Sequence, residues 1–196
     1  MTEPPTYRIR RSLFHKERTY LVESDALAWR EDGGGSRLPF GKIEKIRLYS
    51  VQTAIDPSTG SALAPGSQSV VVSGPNAQHV LSSNHFVSLG NFEDRSATFD
   101  PFVTALIERV AAANPATTFI RGLPAGLLAV YMALAAIIAI VIVIFVALLI
   151  REIPKGKDEI GTIAFAASFL AGVIVAEIAL IRLLIRDWPR PFDPRR

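Results

Sequence analysis

Two long apolar runs stand out along the chain. From Gly122 to Ile150 no residue is charged, and from Leu127 onward nearly every position is Leu, Ala, Val, Ile or Phe. A second run, Ile160 to Ile185, is broken only by Glu177 and Arg182. A helix needs about 20 such residues to cross a hydrocarbon core of about 30 Å, so the runs predict spanning helices over 123–150 and 160–185. Neither run leaves a polar face for water, which argues against a core hairpin of a soluble protein. Pro124 suits a first helical turn, and Arg151 to Glu159, with Pro154 and Gly156, breaks the helix into a short connection.

Ahead of these runs, polar and apolar positions alternate over short stretches. Thr19 to Glu23 and Ala26 to Arg30 read as two strands around a turn at Ser24-Asp25, with a second turn at Asp32-Gly33-Gly34-Gly35-Ser36. A helical turn from Gly41 to Lys45 and a strand from Ile46 to Val51 follow, then a long Ser/Gly/Pro/Ala-rich loop from Gln52 to Gln68. Val70-Val71-Val72 and His79-Val80-Leu81 predict a hairpin around Gly74-Pro75-Asn76. Asp100 then caps a predicted helix with Pro101 in its first turn; Phe102, Val103, Leu106, Ile107 and Val110 recur at three- and four-residue spacing, and Asn114-Pro115 ends it.

The fold expected from this order is α+β: a small antiparallel barrel or bent sheet with one capping helix (1–115), a linker (116–122), a two-helix transmembrane hairpin (123–187) and a basic tail (188–196). Residues 1 to 121 carry thirteen Lys or Arg against twelve Asp or Glu, a balance that gives no basic face for nucleic acid. The chain has no cysteine, so disulfides, thiolate metal sites and thiol nucleophiles are excluded. Met1 to Arg11 is charged and lacks an apolar core, so no secretory signal peptide is expected.

Lys and Arg near the helix ends set the expected orientation. The connection carries Arg151, Lys155 and Lys157, whereas the other side carries Arg109, Arg121, Arg182, Arg186, Arg190, Arg195 and Arg196. That asymmetry predicts a multi-pass protein of a bacterial inner membrane with both termini in the cytoplasm and Trp188 as an interfacial anchor. Small residues recur at helical spacing, Ala125, Ala129 and Ala133 on the first run and Ala164, Ser168, Gly172 and Ala176 on the second, which predicts close helix packing along these stripes. With a turn near Lys155, Glu177 falls level with Tyr131, and a hydrogen bond between them is expected. Burial of the Glu177 carboxyl in a span suggests a compensating contact, in competition with a simple reach back to interfacial water or an arginine.

Particular residues also carry a resemblance. The segment from Arg18 to Trp29 (RTYLVESDALAW), then Arg37 to Leu48 (RLPFGKIEKIRL), resembles the opening of bacterial pleckstrin-homology-like domains. Leu81-Ser-Ser, Asn91 to Ser96 and the helix from Asp100 to Ala113 resemble membrane-anchored members of that group. The resemblance spans about residues 7 to 115. It implies a fold that binds lipid head groups, peptides or protein surfaces, with phosphates held in phospholipid-binding members by a basic patch on the first hairpin. Arg8, Arg10, Arg11, Lys16 and Arg18 supply basic residues here, but the turn itself, Glu23-Ser24-Asp25, is acidic. A solvated or membrane-facing edge is the plainer reading of the five.

Catalytic and metal patterns fail on spacing. His79 and His85, near Glu93 and Asp94, lack a compact ligand repeat. Gly33-Gly34-Gly35 lacks a following helix and a Lys-Ser/Thr pair, and no Gly-x-Ser-x-Gly elbow is present. The expected role is therefore non-enzymatic and cofactor-free: a membrane-tethered interaction or scaffold module, an accessory subunit of an inner-membrane complex, in contact with lipid and with a membrane-protein partner or a second copy. Competing expectations are an oligomeric membrane protein handling ions or lipid, and an anionic-lipid sensor.

Overall fold

The computed structural model describes residues 4–51, 55–56, 61–62, 67–89, 91–152 and 159–195. It is a mixed α+β chain in two units, one of Met1–Pro124 with Pro189–Arg196 and one of Ala125–Trp188. In chain order the elements are β1 (Thr6–Ile9), β2 (Arg18–Val22), β3 (Ala26–Glu31), β4 (Gly34–Pro39), a 3-10 turn (Phe40–Lys42), β5 (Lys45–Val51), β6 (Ile55–Asp56), β7 (Ser61–Ala62), β8 (Ser67–Ser73), β9 (Gln78–Ser82), β10 (Asn84–Ser88), β11 (Asn91–Asp94), α1 (Ser96–Ala113), β12 (Thr118–Arg121), α2 (Ala125–Glu152), α3 (Glu159–Arg186) and β13 (Arg190–Pro191).

In the first unit β1-β2-β3-β4 form an antiparallel meander. A second sheet has the order β13-β12-β5-β8-β9, antiparallel except where β12 runs parallel to β5. Neither sheet closes on itself. Alternation decides which side chains turn inward: Tyr7 and Ile9 on β1, Tyr20 and Val22 on β2, and Val70, Val72 and Leu81 on β8 and β9 are buried. The apolar stripe of α1, Phe99, Phe102, Val103, Leu106 and Val110, completes this core. Tyr7 meets Phe99 edge-on at 5.2 Å between ring centroids, and its hydroxyl donates to Ser82 O at 2.5 Å. Gly33 closes the β3–β4 turn with φ 101°, a conformation that favours glycine.

Several expectations need correction. Helix α1 starts at Ser96, not after Asp100: the Asp94 carboxylate accepts from both Ser96 N and Ser96 Oγ, so Pro101 sits inside the helix. The stretch expected as a linker, 116–122, contains β12, whose addition to β5 satisfies backbone groups that a free linker would leave to water. Part of the expected free tail, Arg190–Pro191, is β13, and Phe192 N donates to Phe119 O at 3.1 Å. The sequence reading also passed over β1 and the β10–β11 hairpin. Most of the expected loop 52–68, and the connection holding Pro154, Lys155, Gly156 and Lys157, lie outside the described residues.

Among the described residues of the second unit, one helix is long and apolar enough to cross a membrane, over Ala125–Leu148. Few of its side chains are covered. Helix α3 touches α2, and the rings of Phe145 and Phe169 lie 5.2 Å apart.

Candidate functional site

The five N-terminal basic residues do not form one free patch. Arg8 pairs with Glu17 at 2.6 Å and Arg18 with Glu31 at 3.1 Å. Arg10 is spent on its own loop: Nη2 donates to Leu13 O at 3.2 Å and Nε to His15 O at 3.3 Å, while the guanidinium lies 5.5 Å from the centroid of the Phe86 ring. Arg11, half-buried, and Lys16, exposed, have no ion pair among the described residues. The acidic turn residues Glu23 and Asp25 are matched by Arg37, at 3.4 and 2.8 Å.

A groove of about 400 Å³ runs between β1, β11 and the start of α1, lined by Thr6, Tyr7, Arg8, Glu93, Asp94, Arg95, Ala97 and Thr98. Its charges already have partners. Arg95 donates to Glu93 and to Arg8 O, and hydrogen bonds from Arg95 and Ser96 hold the Glu93 and Asp94 carboxyls below the usual carboxylate range. Burial pushes the Tyr7 hydroxyl upward.

The histidines sit apart from each other in role. His79 is buried, its ring 4.1 Å from Trp29 and edge-on to Tyr20 at 6.3 Å, and neither ring nitrogen has a partner among the described residues. Burial, reinforced by Arg18, lowers its pKa below the ordinary imidazole value. His85 Nδ1 accepts from Arg10 N at 3.1 Å, which leaves it a neutral acceptor; burial and then Arg95 lower its pKa too. Among the described residues no three His, Asp or Glu side chains converge as metal ligands.

The segments that lead into α2 and out of α3 are held by the first unit. Arg47 Nη1 donates to Gly122 O at 3.2 Å and Leu123 O at 2.9 Å, Gly122 N donates to Leu48 O, and burial lowers the Arg47 pKa. Gly122 has φ 117°, which lets the chain turn off the end of β12. Arg121 lies 5.3 Å over Phe192, Phe192 meets Phe119 at 5.8 Å, and Arg195 Nη2 donates to Ala111 O at 2.5 Å. Sequence reading missed Arg47 and Phe192, though each left a signal. Arg47 is a cation between apolar strand positions, and Phe192 is an aromatic residue in an otherwise charged tail.

The small-residue stripes lie in the second unit. Ala125, Ala129, Ala133, Ala164, Ser168 and Gly172 are exposed, and the side chain of Ala176 lies outside the described residues. The less exposed rows are Leu128, Tyr131, Ala135, Ile142 and Val146 on α2 and Leu170, Val173, Glu177 and Leu184 on α3. Phe145 and Phe169, whose ring centroids lie 5.2 Å apart, make one described contact between α2 and α3. Glu177 lies among the less exposed positions of α3, half-buried. Its Oε1 is buried with no partner among the described residues, so that oxygen does not make the hydrogen bond expected with Tyr131. Arg182 is exposed on α3, Arg186 pairs with Asp187 at 3.3 Å, and Arg190 enters β13.

Comparison with known proteins adds no identity: no family model matches the chain, and no curated protein or solved structure matches it.

Proposed function

We propose that the chain is a membrane-anchored interaction module: a pleckstrin-like head on a hairpin of two spanning helices, serving as an accessory or assembly subunit of a bacterial inner-membrane complex. One observation carries this reading. Helix α2 presents apolar side chains around its whole circumference with few of them covered, and such a surface is stable only in lipid or against other helices. The length and composition of α3 fit a second crossing. The tail supports an even number of crossings, because residues before α2 and after α3 belong to one folded unit and must share a compartment. The Lys/Arg asymmetry favours the cytoplasm for that compartment.

A pleckstrin-like assignment of the head is supported by element order, a four-stranded meander, three further antiparallel strands (β5, β8, β9) and a following helix. No sheet closes, and the charges lining the groove between β1, β11 and α1 are already paired, which supports recognition through a surface. Glu177 favours a partner in the membrane: its Oε1 is buried with no partner among the described residues, a state that is costly in lipid until a donor reaches it.

The test is fractionation and gentle isolation of the tagged chain. The chain is expected in the membrane pellet after alkaline carbonate washing, and in mild detergent it should copurify with a reproducible membrane protein or a second copy. Recovery in the soluble fraction would remove the anchor. Monomeric behaviour with no partner, in both detergent and nanodiscs, would remove the scaffold role.

A further inference from the structure

Strand β12 is paired on both sides, but unequally. All four of its residues pair with β5, whereas on the other side β13 pairs only Ile120 and Arg121. The segment that makes this second pairing, Arg190 to Arg195, comes after both long helices and grips the head through three kinds of contact. Phe192 N donates to Phe119 O at 3.1 Å, the Phe192 ring packs on Phe119 and under the Arg121 guanidinium, and Arg195 Nη2 donates to Ala111 O at 2.5 Å. Ala111 lies in the last turn of α1, where carbonyls lack intrahelical partners and attract cations.

These contacts outline a groove and the chemistry it accepts. An extended backbone lies along β12, an aromatic ring sits over Phe119, and a guanidinium reaches the end of α1 three residues later. The resident segment fills this groove imperfectly. Among the described residues Thr118 has no partner in β13, and the exposed Arg121 faces Arg190, a like-charge pair that is unfavourable across two strands. Because Phe192 N points at β12, the neighbouring Pro191 nitrogen faces away from it. The proline therefore blocks a further strand without losing a bond to β12, and another segment reaches this edge only by replacing β13.

We propose that this groove is a strand-addition site for a partner protein, closed in cis by the chain's own 190–195 segment. The partner's extended segment carries a carboxylate opposite Arg121, an aromatic residue two positions later and an arginine three beyond that. The proposal rests on the interaction-module reading above and gives that module a partner of stated chemistry. In this mode backbone bonds supply affinity and side chains choose the partner. The carboxylate is the discriminating element, since it exchanges the like-charge pair for an opposite-charge one. The resident segment is tethered and competes at high effective concentration, so only a better-matched segment displaces it.

The test uses fluorescein-labelled synthetic peptides covering Pro189 to Arg196: the chain's own sequence, its Arg190→Glu form, and the Arg190→Glu form that also carries Phe192→Ala. Each is titrated by fluorescence anisotropy against the full chain in phosphatidylcholine nanodiscs, whose lipid has no net charge to attract basic peptides. The chain is used as wild type, as Phe192→Ala and as Arg195→Gln. The two variants weaken the resident closure at different contacts, so misfolding of one leaves the other.

The glutamate peptide should saturate both variants and bind them at least about threefold more tightly than the chain's own sequence, the order expected from reversing one cross-strand charge pair. Its affinity for wild type should be lower, because the resident segment competes, and the peptide without the aromatic ring should not bind. Adding Arg121→Gln to either variant should abolish the preference for glutamate while both aromatic peptides still bind. No saturable binding to a folded variant, binding that ignores the aromatic ring, or equal affinity for wild type and variants would overturn the groove and make 190–195 a fixed part of the head. Equal affinity for the two aromatic peptides would overturn the acidic partner. Failure of the groove beside a reproducible copurifying partner would leave the interaction module standing. Peptide binding as expected, with no copurifying partner or second copy, would overturn the module and leave the groove.

Discussion

Arg121 and Arg190 are paired residues of β12 and β13, although both long helices lie between them in the chain. Like charges opposed across a strand pair are unfavourable by themselves. Here the Arg121 guanidinium is turned onto the Phe192 ring, and Phe192 packs on Phe119, so the cation supports the closure. The head is therefore completed only after the last residues of the chain arrive.

The first prediction concerns that closure. Phe192→Ala should destabilise the head by about 1–2 kcal/mol, less than the cost for a fully buried ring because Phe192 is only partly covered. Urea unfolding of the full chain in nanodiscs, with Trp188 replaced by Phe so that emission comes from Trp29, measures it. An unchanged midpoint would show that the tail contributes nothing to the fold.

A second prediction concerns the segment leading into α2. Arg47 makes two charge-assisted hydrogen bonds to consecutive carbonyls there, and Gly122 N is held by Leu48 O. Arg47→Met keeps the aliphatic stem and removes both bonds, at a cost of about 1.5–3 kcal/mol per bond lost to a charged group, discounted here because the site is partly solvated. Hydrogen exchange at the Gly122 and Leu123 amides should accelerate while that of Val70 and Leu81 stays protected. Unaltered exchange at Gly122 would show that the β12–β5 ladder alone fixes this segment.

Much of this fold was legible in the sequence where one pattern ran uninterrupted. The greasy run of α2 and the alternation through β2, β3 and β5 are local signals, and they yielded the elements within a residue or two, whereas β8 begins three residues before the expected Val70. Failures arose where a distant segment decides the structure. Thr118–Arg121 has no strong pattern of its own and becomes a strand because β5 offers it an edge, and Arg190–Pro191 becomes one because β12 does. Asp100-Pro101 imitates a helix start, but Asp94 supplies the earlier anchor. At the basic edge, sequence gave the charges and could not give the carboxylates that neutralise Arg8 and Arg18.

A third prediction follows from His79. Burial holds its folded-state pKa below the ordinary value, so the unfolded chain takes up the proton first as pH falls. The resulting stability is complete above about pH 6.5 and declines below it until the folded-state pKa is reached, no faster than about 1.4 kcal/mol per pH unit for one proton. His85 shifts in the same direction and adds to the slope. The low carboxyls Glu93 and Asp94 act in the same sense only at lower pH, below the ordinary carboxylate range, and leave this window clear. His79→Leu should flatten the slope between pH 6.5 and 5, leaving the His85 share, and should not weaken the head at pH 8, since both ring nitrogens lack partners there. Parallel stability curves for the two proteins across this window would mean that His79 does not carry the dependence.

The fourth prediction separates a structural role for Glu177 from a contact with a partner or a second copy. Its Oε1 is buried on α3 with no donor among the described residues, a position where leucine would fit the apolar surroundings at least as well for folding alone. If the carboxyl exists for a partner's donor, Glu177→Leu should leave abundance and thermal stability equal or higher while the copurifying partner or second copy is lost. Glu177→Gln, which keeps a carbonyl acceptor, should retain part of that association. The measurement is the yield of the complex in mild detergent relative to chain recovered, for wild type and both variants. Equal complex yield in all three would remove the contact, and loss of the chain itself in the leucine variant would make Glu177 a residue of the fold.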